Sequence, residues 1–120
     1  MVKSLDELLS IYYRSVGGNA AFLLNIPPDK RGLIHENDVQ RLKELGNAIR
    51  QTFRHNLAED ATTELKIEVD LSSVQTFDRV VLKEDIRFGQ RVENFTLEYL
   101  NDDGWKEFFA GTVIGYKKIC

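Results

Sequence analysis

The stretch Tyr13-Arg14-Ser15-Val16-Gly17-Gly18-Asn19-Ala20-Ala21-Phe22-Leu23-Leu24-Asn25-Ile26-Pro27-Pro28-Asp29 constrains this chain more than any other. It runs from a helix end through a glycine pair into an unbroken apolar segment, Ala20 to Leu24, and stops at two prolines. Strands with one wet face alternate apolar and polar residues. Unbroken apolar runs belong to parallel strands covered on both faces, under helices or in a barrel wall. The stretch therefore predicts one helix-to-strand step of a barrel. A complete barrel needs about 250 residues, and the chain has 120, so the strand has to be completed by something else or pair differently.

Two helices flank that strand in the pattern. Ser4-Leu5-Asp6-Glu7 fits a capping box, and Leu5, Leu8, Leu9, Tyr12, Tyr13 and Val16 recur at helical spacing. The first helix is expected over residues 5–16, ended by Gly17 and Gly18 in left-handed conformations. Asp29-Lys30-Arg31-Gly32 reads as a polar turn. Asn37 is the expected cap of a second helix, with Gln40 completing its box. Val39, Leu42, Leu45, Ile49 and Phe53 form its apolar stripe, and Arg50, Arg54 and His55 fall in its last turns, where positive charge suits the helix end.

After the polar stretch 56–63 the period changes from 3.6 to 2. Leu65, Ile67, Val69 and Leu71 alternate with Lys66, Glu68 and Asp70, predicting a half-buried strand. Further strands are expected over 79–83, 92–101, 105–109 and 112–119. Asn101-Asp102-Asp103-Gly104 should join two of them as a hairpin turn, with Gly104 at positive φ. The fold class is thus α+β: helix, strand and helix, then an antiparallel sheet.

The stretch from Ser15-Val16-Gly17-Gly18-Asn19 into Leu23-Leu24-Asn25-Ile26-Pro27-Pro28-Asp29 resembles the last helix and strand of the catalytic barrel of the α-L-fucosidase family of glycoside hydrolases. A second block, Gly89-Gln90-Arg91-Val92 through Trp105 to Thr112-Val113-Ile114-Gly115-Tyr116-Lys117-Lys118-Ile119, resembles the galactose-binding-like β-sandwich that follows that barrel. The resemblance implies a barrel-end segment over 1–57, a linker over 58–63 and a jelly-roll sandwich over 64–120. Against the family pattern, the opening sandwich strands look deleted between Thr63 and Leu65, and the sandwich is expected to stop short at Cys120.

What the resemblance implies about function is support of α-L-fucoside hydrolysis in a parent enzyme. The family's retaining mechanism needs a carboxylate nucleophile and a carboxylic acid about 5 Å apart. Both come from earlier barrel strands that have no match here, so no catalytic residue is expected and the chain alone should be non-catalytic or accessory. Asn25 stands where a barrel strand meets its active face and is a carbohydrate-contact candidate. So is Trp105, since Tyr99, Trp105, Phe108, Phe109 and Tyr116 offer the kind of surface on which sugars stack. Each has a packing alternative: Asn25 can satisfy backbone before Pro27, and a sandwich needs aromatic core.

Composition narrows the rest. Sixteen lysines and arginines are scattered among nineteen acids, for a formal charge of −3, which argues against a nucleic-acid partner. Cys120 is the single cysteine, so no internal disulfide and no thiolate metal site can form. Asp102 and Asp103 fall far short of a calcium shell. His35 and His55 suit capping or surface roles better than catalysis. No metal and no cofactor is expected. No run of eighteen apolar residues occurs and the start is charged, so neither a membrane span nor a leader is expected; the chain as written reads as cytoplasmic, although relatives are often secreted, periplasmic or lysosomal. The expected partners are a fucosylated carbohydrate and either a second copy, through open sheet edges, or the missing catalytic segment. The rival function classes are a carbohydrate-binding module and a self-associating structural domain.

Overall fold

The computed structural model describes residues 2–58 and 66–120. In chain order the elements are helix α1 (Leu5–Ser15), helix α2 (Glu36–Thr52), strand β1 (Val81–Leu82), a single 3-10 turn (Ile86–Phe88), and strands β2 (Phe95–Asn101), β3 (Gly104–Gly111) and β4 (Lys118–Ile119). The class is mixed α+β, with two antiparallel two-stranded sheets, β1–β4 and β2–β3. Contacts divide the chain into two compact units, each built from two sequence segments: Met1–Leu5 with Ile26–Asp78, and Asp6–Asn25 with Arg79–Cys120.

In the first unit, α2 forms where its stripe predicts. Leu45 is buried and Val39, Leu42, Ile49 and Phe53 are half-buried along the same face. Its cap differs from expectation. The helix begins at Glu36, and His35, not Asn37, is the capping residue: its Nδ1 accepts a hydrogen bond from the Asn37 amide at 3.1 Å. An imidazole nitrogen with a free lone pair does the work usually done by a short polar side chain. His35→Ala is expected to lower stability by about 0.5–1 kcal/mol, read as a shift of the denaturation midpoint at neutral pH. The strand expected over Leu65–Leu71 is not found: Leu65 and the linker residues 59–63 lie outside the described residues, and 66–71 joins no ladder. Ile67 and Val69 are 52% and 46% exposed. Alternation alone does not make a strand, because the backbone needs a neighbour to pair with.

In the second unit, Leu8 on α1 is buried, with Leu9, Ile11, Tyr12 and Tyr13 half-buried around it. Gly17 and Gly18 stop α1 as expected, but not by left-handed geometry; the positive φ falls on Asn19, at 67°. The glycines are needed for close approach instead. A Cβ on Gly18 would sit 2.6 Å from the Arg14 carbonyl oxygen, and one on Gly17 would sit 3.1 Å from Ile119 Cβ.

The hairpin β2–β3 follows the sequence closely. Asn101 pairs with Gly104, whose φ is 105°, and Asn101 Oδ1 accepts from the Asp103 amide at 2.9 Å. Phe95, Leu97 and Tyr99 share one face, where Phe95 stacks on Phe109 at 5.9 Å between centroids. The register shifts after Leu97, which pairs with Phe109 while Glu98 pairs with Glu107. Phe108 is the extra residue of this bulge and meets Tyr99 at 6.1 Å. The strand expected over 112–119 shrinks to Lys118–Ile119, because Gly115 turns the chain at a φ of 65°; that over 79–83 shrinks to Val81–Leu82.

The largest departure concerns Ala20 to Asn25. No strand ladder forms there among the described residues, Ala20 and Ala21 are exposed, and Leu23 is 95% exposed. The physical reason is the one the sequence raised: a strand covered on both faces needs neighbours on both edges, and none of the described residues supplies one.

Candidate functional site

A polar arrangement in the second unit that joins distant segments is centred on Glu84, which no sequence signal marked as functional. Its side chain follows β1 and is half-buried. Oε1 accepts from the Arg91 amide and from the Val92 amide at 3.0 Å, and Oε2 accepts from the Gly115 amide at 3.2 Å. The Glu84 amide in turn donates to the Gly115 carbonyl at 2.8 Å. One carboxylate thus ties the loop after the 3-10 turn to the turn before β4. The Arg91 amide is the largest influence holding the Glu84 carboxyl below the usual glutamate range, and the Val92 and Gly115 amides act in the same sense against partial desolvation. The available clue was position, since Glu84 lies between the apolar Val80–Leu82 run and the Gly89–Val92 block.

Gly115 leads on to α1's exit. The Asn19 Oδ1 accepts from the Tyr116 amide at 2.8 Å. The Ile119 amide donates to the Gly17 carbonyl at 3.0 Å, and Gly18 bridges Lys118. Arg79 places its guanidinium 5.0 Å from the centre of the Tyr13 ring, a cation–π contact.

Of the two sequence-predicted site residues, Asn25 is exposed at the end of the unpaired run. Trp105 opens β3 opposite Leu100, the two being 53% and 63% exposed. Thr96, Glu98 and Leu100 lie on that face of the ribbon with Trp105, Glu107 and Ala110, and the aromatic pairs lie on the other. Among the described residues no hydrogen bond or ring contact joins Asn25 to Trp105, and each stands as a separate feature.

In the first unit, Asp29 and Glu36 meet on one guanidinium. Arg31 Nη2 lies 2.6 Å from Asp29 Oδ2 and 2.8 Å from Glu36 Oε1. The hydrogen bond from Arg31 is the main cause that lowers both carboxyls from their ordinary values. Two ionised carboxylates on an arginine cannot deliver a proton to a leaving group, which a general acid must do. Asp85 is similar: the Arg87 side chain pulls it down to about 2.

The other candidates resolve into structure. His55 is exposed just beyond α2. Asp103 is the hairpin-turn donor already described, and no group of three or more His, Cys, Asp or Glu residues is placed to hold a metal among the described residues. Burial is the main cause that pushes the Cys120 thiol up, away from the thiolate a nucleophile requires. An open recess of about 460 Å³ beside α2 is lined by Asn47, Arg50, Gln51 and Arg54, without an acid, a base of ordinary basicity or an aromatic wall. No helix among the described residues is long and apolar enough to cross a membrane.

No protein-family model matches the chain. It is similar to a rice protein described as α-L-fucosidase 1, at 33% identity over 98% of this chain and 29% of the rice protein. Among solved structures, one from Bacteroides ovatus, described as an α-L-fucosidase, superposes with a TM-score of 0.89 and 49% identity, covering 98% of this chain and 21% of that one. A Ruminococcus gnavus fucosidase solved in complex with fucose superposes with a TM-score of 0.87 at 31% identity, covering 100% of this chain and 31% of that one. The chain therefore spans less than a third of the length of each of these relatives.

Proposed function

Because the chain is homologous to the C-terminal part of the α-L-fucosidases of glycoside hydrolase family 29, we propose that it is a supporting, non-catalytic portion of such an enzyme. Its substrate context is an α-L-fucoside in a glycan. In this reading residues 1–57 are the end of the catalytic barrel, 58–63 the linker and 64–120 a shortened galactose-binding-like jelly roll. The observation that carries it is the run Ala20 to Leu24: unbroken apolar residues with no ladder among the described residues, and with Leu23 95% exposed, are what a barrel stave is when its neighbours are elsewhere. The partner that fits is polypeptide bearing the remaining barrel strands. A second copy is the other candidate, since β2 and β3 pair only with each other among the described residues and each has an open edge.

One observation favours carbohydrate binding as a second reading, namely the exposed Trp105–Leu100 pair on β3 and β2. Titrating the chain with fucose and with galactose while following Trp105 emission separates the two. A supporting role predicts flat emission up to tens of millimolar sugar; saturable quenching, accompanied by a binding heat in calorimetry that Trp105→Phe abolishes, would establish the binding module instead.

A further inference from the structure

We infer that Asn19 is a positioning residue: by accepting the Tyr116 amide it latches the start of the Ala20–Asn25 run to the turn before β4, so that the C-terminal segment sets where that run lies. The inference does not depend on the fucosidase reading, because every contact is within this chain and within one of its units.

Several independent features converge on Asn19. Its φ of 67° is a conformation that non-glycine residues adopt at a cost and that asparagine tolerates best; it redirects the chain from α1 into the run. Its Oδ1 reaches Tyr116 across 97 positions of sequence. Room for that carboxamide exists only because position 115 is glycine: a Cβ there would lie 2.7 Å from Asn19 Oδ1, and Gly115 is itself buried at positive φ. Gly115 is fixed in turn on its far side by Glu84, which binds both its amide and its carbonyl. Backbone contacts from Gly17 to Ile119 and from Gly18 to Lys118 flank the latch. Beyond it the Ala20 amide donates to the Ser15 carbonyl at 2.8 Å, Phe22 and Leu24 are half-buried, and among the described residues no ladder follows. The direction of the run is therefore set at Asn19.

Two substitutions separate the latch from the backbone conformation. Asn19→Gly keeps the positive φ at no steric cost and removes the acceptor, whereas Asn19→Asp keeps an acceptor oxygen and tolerates the same conformation. Amide exchange and order parameters of the full chain by NMR read the result. Asn19→Gly is expected to speed exchange of the Tyr116 amide at least tenfold and to drop the order parameters of 20–25 below about 0.6. Asn19→Asp should restore both, and the β2–β3 amides should be unchanged in either variant. Order parameters over 20–25 that fail to follow the presence of the acceptor across the wild type and the two variants would overturn the inference, as would unchanged Tyr116 exchange in Asn19→Gly.

Discussion

Replacing Glu84 with alanine is expected to lower the melting temperature by on the order of 10 °C. Three backbone amides, those of Arg91, Val92 and Gly115, lose their acceptor together. Alanine cannot replace it, and what remains between these segments and β1 is backbone pairing: the Glu84 amide on the Gly115 carbonyl and the short β1–β4 ladder. The effect also has a pH signature. The Glu84 carboxyl is held below its ordinary value in the folded chain, first by the Arg91 amide, whereas in the unfolded chain it titrates near 4.3. A depressed carboxyl stabilises the fold fully above the unfolded value, and the contribution is lost as pH falls through the folded value. Thermal melts of the wild type and Glu84→Gln should therefore differ most at neutral pH and converge as pH falls through the acid range below about 4.3. A difference of the same size at both ends would show that the ionised form is not what the amides hold.

Much of the architecture was readable in the residues. The stripe Val39, Leu42, Leu45, Ile49 and Phe53 located α2, and the Asn101–Gly104 turn located the hairpin, because in both cases local chemistry and local geometry are the same thing. Where the outcome depended on distant partners, local patterns failed. Leu65–Leu71 alternates like a strand, yet its described residues have no neighbour to pair with. Ala20–Leu24 is composed like a buried stave, yet Leu23 is exposed. Asn19, Glu84 and Gly115 escaped notice for the converse reason, since their importance lies in contacts across 31 and 97 positions that no spacing rule encodes. His35 is itself the cap, two residues before Asn37, the residue of the commoner capping type.

Asn25 and Trp105 stand out as exposed polar and aromatic groups, and the structure leaves them apart. Asp29 and Glu36 were not singled out as a pair, and their meeting on Arg31 required the turn at Gly32 and the start of α2 to be known. Of the described carboxyls whose ionisation is displaced, Asp29, Glu36, Glu84 and Asp85, all are displaced downward. Glycoside cleavage by a retaining route needs one carboxyl that keeps its proton, and these four are held in the opposite state.

That contrast makes the assay of the purified 120-residue chain on nitrophenyl α-L-fucoside the most direct test of a supporting role. Enzymes of measurable activity accelerate their reactions by at least about a millionfold, so a working acid and nucleophile would be unmistakable over a buffer blank. The account predicts nitrophenol release indistinguishable from that blank from pH 4 to pH 8. Turnover of the fucoside by this chain, abolished by Asp29→Asn or Glu36→Gln, would contradict it.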